Sequence, residues 1–245
     1  MSLDKKLIEW QDIGGIEVAT TRQHRFGTDA VLLESFALSR PAKKICDIGS
    51  GCGIIPFLIA KRKKNCEIVA LEIQEDAVEL INEAVLKNGI DNVRAVCGDA
   101  RDISLLKQNV GNTDFDLVIC NPPYYKENSG AKCPDAQRSL AREENTFNIY
   151  DAALSAKTLL KHGGRFCVCF KPERLCDLID AMRKNTIEPK RLRMIHTRAE
   201  QKPWLVLVEG KKGANPFLEV LPPLVVNSES GQNEMNIIYS CVGSE

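Results

Sequence analysis

A mostly parallel, twisted sheet of the α/β class, carrying an antiparallel hairpin at one end, is the architecture this sequence predicts. Three observations carry that prediction. Short runs rich in Val and Ile alternate with longer segments of helical period, the pattern of repeated βαβ units. The runs are almost continuously apolar, as strands covered on both faces must be. The last two runs lie seven residues apart, too close for a helical crossover, so they pair antiparallel.

The elements follow in order. Gln11 to Ala19 reads as a small hairpin around Gly14-Gly15. The runs Lys44 to Ile48, Glu67 to Glu72, Val93 to Gly98 and Phe115 to Cys120 are the first four sheet strands. Ile54 to Arg62 is a short helix. Glu75 to Lys87 is a longer one, with Val78, Ile81 and Val85 on one face, acids in its first turn and Asn88-Gly89 to stop it. The polar stretch Lys126 to Asn145 reads as a loop, and loops of that length in compact domains usually carry function. Phe147 to Leu160 is the next helix, with Gly163-Gly164 as its stop, followed by a strand from Phe166 to Phe170 and a helix from Pro172 to Arg183. Arg191 to His196 and Trp204 to Glu209 form the hairpin across Thr197 to Pro203. Ser228 to Glu245 is too weakly patterned to assign.

Composition narrows the function. Thirty-three basic residues balance 33 acidic ones over 245 residues, which excludes a uniformly basic nucleic-acid binder and an acidic disordered tail protein. Ten cysteines contain no Cys-x-x-Cys pair, and several sit inside apolar runs, where a thiol packs as a small hydrophobe. No metal site, no disulfide framework and a reducing, cytoplasmic setting are expected. The N-terminus lacks an apolar signal region and no run approaches a membrane span, so neither export nor membrane insertion is expected. No stable protein partner is evident.

Chemistry concentrates at strand ends. Asp47 near the end of the first sheet strand, and Gly49, Gly51 and Gly53 between that strand and a helix, form a candidate cofactor-binding turn, where glycines let a ligand approach the backbone. The spacing is G-x-G-x-G, neither the dinucleotide fingerprint nor a P-loop. Glu72 closes the second strand nineteen residues after Gly53, where a carboxylate can accept from two ribose hydroxyls. Asp99 ends the third strand, in position to accept from an adenine amino group. After the fourth strand comes Asn121-Pro122-Pro123-Tyr124. There the Asn121 side-chain oxygen and the Pro122 carbonyl can both accept from one NH₂, and Tyr124 offers a face for a planar base.

Taken together, DIGSGCG, Glu72, Asp99 and NPPY resemble the Rossmann-like class I S-adenosylmethionine-dependent methyltransferases that act on amino groups. Arg25-Phe26-Gly27-Thr28-Asp29-Ala30-Val31-Leu32-Leu33 is similar to the GTD-x-x-LL segment of the bacterial tRNA(Val) adenine-N6-methyltransferase family. The resemblance implies S-adenosylmethionine as cofactor, with Gly49, Gly51 and Gly53 bordering its methionine, Glu72 its ribose and Asp99 its adenine, and with Thr28 and Asp29 on the cofactor side. It implies tRNA as partner and Asn121, Pro122 and Tyr124 as the groups holding the acceptor base. It also divides the chain into an N-terminal extension (1–40), a methyltransferase domain (41–227) and a C-terminal tail (228–245). An exocyclic adenine nitrogen is a poor nucleophile, so alignment at Asn121 and Pro122 is expected to supply most of the rate, without a dedicated base.

Two alternatives stay open at this level. A glutamine-N5 methyltransferase of release factors resembles the chain through the same NPPY loop, although those enzymes usually carry a helical domain where this chain has about forty residues. A non-catalytic RNA-binding protein of the same fold is the other. Between Arg183 and Lys212, nine basic residues (Arg183, Lys184, Lys190, Arg191, Arg193, Arg198, Lys202, Lys211, Lys212) face three acids (Glu188, Glu200, Glu209), an RNA-binding excess if they share a face.

Overall fold

The apolar runs form the centre of one sheet. A computed structural model describes residues 8–111, 113–122 and 147–240 of the chain. The first sheet strands are β3 (Lys44–Ile48), β4 (Glu67–Glu72), β5 (Val93–Cys97) and β6 (Phe115–Cys120); β1 (Glu9–Asp12) and β2 (Glu17–Thr20) form the separate N-terminal hairpin. β7 (Leu160–Phe170), β8 (Ile187–His196), β9 (Leu205–Lys212) and two short strands, β10 (Glu219–Val220) and β11 (Leu224–Val225), complete the sheet. Its order among the described residues is β10-β8-β9-β7-β6-β3-β4-β5, with β11 also on β8. β9 pairs antiparallel with both β7 and β8, and the other pairings are parallel. The predicted class and hairpin are therefore what the chain adopts.

Seven helices are described: α1 (Thr28–Leu38), α2 (Ile54–Arg62), α3 (Glu75–Asn88), α4 (Ile103–Val110), α5 (Ile149–Leu159), α6 (Leu175–Lys184) and α7 (Glu229–Ser240). Side chains alternate across the strands, so neighbours such as Ile45 and Cys46, Leu117 and Val118, or Cys167 and Val168 enter opposite cores. One core joins α1, α2 and α3 through Leu33, Phe57 and Ile81; the other joins α4, α5 and α6 through Leu106, Ala153 and Met182. Each layer covers a face of the sheet, which is why both strand faces had to be apolar.

Three local expectations are corrected. Gly163 and Gly164 do not stop a helix but lie inside β7, where the register with β6 shifts between Phe115 and Leu117. A Cβ on Gly164 would fall 2.8 Å from the Phe115 carbonyl oxygen, so the glycine there admits a neighbouring backbone. β5 is the sheet edge rather than a doubly covered strand, with Arg94 and Cys97 exposed. The helix expected from Pro172 opens instead as a 3₁₀ turn, Pro172–Arg174, before α6 begins. The tail that carried no assignment forms α7, which places Tyr239 Oη 3.2 Å from Thr28 Oγ1.

Inside the first core lies a fully buried acid, Glu34, beside Arg62 at 3.3 Å. Burial pushes its carboxyl up to about 7, while Arg62 and Lys63 pull the other way. The folded state therefore holds a proton that the unfolded chain releases near pH 4.5, and stability falls as pH rises from there to about 7. Glu34→Gln removes that loss. Relative to the parent, its gain in unfolding free energy should grow across this window and plateau above it, on the order of 3 kcal/mol, in denaturant titrations at successive pH values.

Candidate active site

Parallel register brings the carboxyl ends of four strands to one rim. Ile48 lies opposite Leu71 and Cys120, and Glu72 lies opposite Cys97. Between them opens a cleft of about 440 Å³, lined by Gly49 and Gly51, Glu72, Asp99 and Asn121, with Arg101 beside them. Ligands of open α/β sheets bind at this edge. The described residues include no cluster of His, Cys, Asp and Glu suited to a metal ion, and no helix long and apolar enough to cross a membrane.

The glycine turn is built for close approach. Gly49, Gly51 and Gly53 have φ values of +73°, +55° and +80°, a region where L side chains are strained. A Cβ on Gly49 or Gly51 would meet nothing within 4 Å, so the space over them is open. Gly53 differs: its Cβ would fall 2.9 Å from Ile81 and Phe57, which makes it a packing glycine at the start of α2.

Glu72 fastens this turn. One carboxylate oxygen accepts from Gly51 N at 2.9 Å, and the other from Ile73 N at 2.9 Å and Gln74 N at 3.0 Å. The backbone N–H groups of Gly49 and Ser50 donate to Leu71 O. Beneath them Asp47 is 1% exposed, with Oδ1 lacking a hydrogen-bond partner. Burial pushes its carboxyl up to about 7; the Ser50 hydroxyl opposes this and the Glu72 charge adds to it. Asp47 stands behind the cleft wall rather than in it.

Across the cleft, Asp99 is gripped by Arg101, whose Nε lies 3.0 Å from both carboxylate oxygens and whose Nη2 lies 2.6 Å from Oδ2. That guanidinium holds the Asp99 carboxyl below its ordinary range. Arg101 belongs to no motif in the sequence, and its place two residues after Asp99 is the one local signal of this pairing. Gln23, Gln74 and Phe147 also line the cleft and follow no local motif.

Asn121 closes β6 at the rim. Its Nδ2 donates to Asp29 Oδ2 at 3.0 Å, and its Oδ1 accepts from Cys169 Sγ at 3.0 Å. Thr28 and Asp29 thus stand behind Asn121, on the first turn of α1, and do not line the cleft. Pro122 is buried next to it; Pro123, Tyr124 and the Lys126 to Asn145 loop lie outside the described residues.

The basic run is largely consumed by its own neighbours. Arg183 pairs with Glu188, Lys184 with Asp180, Arg191 with Glu209 and Arg193 with Glu234, while Lys212 donates to the Lys157 and Leu160 carbonyls at the end of α5. Arg198 and Lys202 are exposed in the β8–β9 connection. Because β8 runs parallel to β7, that connection belongs to the rim that carries Asn121.

Comparison with known proteins identifies the family. A family model described as a methyltransferase domain matches residues 39–211. A Porphyromonas gingivalis protein named tRNA1(Val) (adenine(37)-N6)-methyltransferase is 32% identical over 207 residues, 80% of each chain. A Parabacteroides distasonis protein of the same name is 28% identical, covering 84% of this chain and 81% of its own. Among solved structures, a predicted O-methyltransferase from Agrobacterium tumefaciens superposes with a TM-score of 0.71 at 19% identity, covering 89% of this chain and 98% of its own. With the family model matching residues 39–211 and a relative 32% identical over 80% of each chain, the chain belongs to the methyltransferase-domain family and, within it, to the tRNA1(Val) (adenine(37)-N6)-methyltransferases.

Proposed function

We propose that the chain methylates the N6 amine of an adenosine in tRNA, beside the valine anticodon, using S-adenosylmethionine in the cytosol. The observation that carries this reading is the meeting of Asn121, Glu72 and the Gly49–Gly51 turn around one cleft. The residues fit the cofactor: open space above two left-handed glycines admits its chain, the acids Glu72 and Asp99 suit its hydroxyls and amino group, and the orphaned Asp47 oxygen leaves an unused hydrogen-bond acceptor behind the turn. When bound, S-adenosylmethionine supplies an electrophilic methyl on a positively charged sulfur.

The chain's own residues then align the acceptor. Asn121 Oδ1 and the Pro122 carbonyl accept the two amine hydrogens, which favours a pyramidal nitrogen and directs its lone pair along one line. Tyr124 stacks on the base, which must leave its helix or loop stack to reach the rim. No side chain is required as base, because methylation acidifies the nitrogen and its proton leaves to water. Asp47 and Gly53 shape the cofactor site from behind, and the domain from 41 to 227 carries the chemistry, with α1 of the N-terminal extension (1–40) bracing it and α7 of the C-terminal segment (228–245) packed against α1. Arg198 and Lys202 meet the RNA backbone at the rim.

Transfer of labelled methyl from S-adenosylmethionine to total tRNA, and separately to release factor, tests the reading. Nuclease digestion and mass analysis are expected to find N6-methyladenosine in tRNA. Label in protein alone would overturn it in favour of the glutamine reaction.

A further inference from the structure

Asn121 must present oxygen, not nitrogen, to an acceptor amine, yet the two ends of a carboxamide have nearly the same shape. Something has to fix which way it faces. Asp29, 92 residues earlier, places Oδ2 3.0 Å from Nδ2 of Asn121. A carboxylate only accepts, so the NH₂ end belongs on that side. On the other side the Cys169 thiol, a donor, lies 3.0 Å from Oδ1. Both neighbours therefore select the same orientation.

The site around Asp29 is shaped to hold that carboxylate still. Gly27 precedes α1 with extended backbone, and a Cβ there would fall 2.7 Å from Asp29 Oδ1, so glycine leaves the carboxylate its room. Thr28 accepts from the Tyr239 hydroxyl at 3.2 Å. At the other end of α1, Arg165 and Arg191 donate to the Ala37 and Phe36 carbonyls, tying the helix to the sheet.

We propose that Asp29 is a positioning residue: its carboxylate locks the Asn121 amide with oxygen toward the acceptor and polarises it, so that Oδ1 accepts more strongly as positive charge grows on the attacked nitrogen. This rests on Asn121 holding the acceptor amine. Without the lock the amide samples both orientations, and the reversed one sets NH₂ against NH₂. Charge-assisted hydrogen bonds are the stronger kind, and polarisation passes through the amide to its oxygen.

A reciprocal exchange tests it. Asp29→Asn should lower kcat about 30-fold while KM for tRNA and Kd for S-adenosylhomocysteine stay within about 3-fold. Asn121→Asp, which sets two carboxylates together, should lose on the order of 300-fold or more. The double variant restores one donor facing one carboxylate and should recover to within about 10-fold of the parent, a rescue that a merely structural role would not produce. Unchanged kcat in Asp29→Asn, or a double variant no better than Asn121→Asp alone, would overturn the proposal. An acceptor-free reading runs beside it: the Asn121 side-chain amide in ¹⁵N–¹H spectra should carry a downfield proton that moves to the ordinary position in Asp29→Ala. An unmoved resonance overturns the lock. A moved resonance in a protein that methylates no tRNA supports the lock and overturns the substrate assignment instead.

Discussion

Asn121→Ala is expected to reduce methyl transfer by on the order of 10³-fold or more while leaving the affinity for S-adenosylhomocysteine within a few-fold of the parent. The separation follows from geometry. The residues proposed for the cofactor side, Gly49, Gly51 and Glu72, are held by hydrogen bonds to β4 and its end, and none of those bonds involves Asn121. Asn121 instead ends β6 and is braced by α1 and β7 through Asp29 and Cys169. On the proposed function, removing its amide deletes an acceptor for the amine hydrogens and leaves the proposed donor site standing. Titration calorimetry with the product nucleoside and single-turnover transfer, run on the same preparation, check both halves. Parallel loss of binding and turnover would show that Asn121 belongs to the cofactor site.

The second large effect is structural. Glu209 is 1% exposed and binds both Arg165 and Arg191, with Arg40 at 3.3 Å. Burial drives its carboxyl upward, but the Arg191 and Arg165 guanidiniums outweigh that and hold it below the ordinary range. Those same guanidiniums reach the Phe36 and Ala37 carbonyls at the end of α1 and the Arg40 and Pro41 carbonyls just beyond it, so Glu209 is the anion through which the sheet grips that helix. Glu209→Ala leaves two buried cations without their counter-charge and should cost about 3–5 kcal/mol in urea unfolding. Such a variant should also lose activity at temperatures where it remains folded, since α1 carries Asp29.

Legibility in the sequence followed burial. β3, β4 and β6 could be read because both faces are covered, leaving unbroken apolar runs, and α3 because one face meets solvent and keeps its period. α1 escaped for the opposite reason. Its buried residues include Ala30, Val31, Leu32, Leu33, Glu34, Phe36 and Ala37, nearly all around the cylinder, so no polar stripe marks it. α4 is short, announced only by the Asp102 cap that accepts from Ser104 and Leu105. The tail helix α7 buries only Gly231, Met235 and Ile238, too few to stand out.

The same logic applies to the site. Gly49, Gly51, Glu72, Asp99 and Asn121 were visible because each lies next to a strand end, and parallel register then brings strand ends together. The role of Asp29 was not visible. Its link to Asn121 depends on how α1 crosses the sheet, and no local spacing encodes a contact across 92 residues. Which cations between Arg183 and Lys212 are free to meet RNA was illegible for a related reason: net charge along the chain says nothing about which cations fold back onto carboxylates, as Arg191 does on Glu209.

A crystal structure of the chain with S-adenosylhomocysteine bound tests the central claim most directly. The account predicts the ribose hydroxyls on Glu72, the amino-acid portion over Gly49 and Gly51, and the sulfur facing the Asn121 side chain. A ligand seated elsewhere, or a sulfur turned away from Asn121 with the ribose still on Glu72, would contradict it.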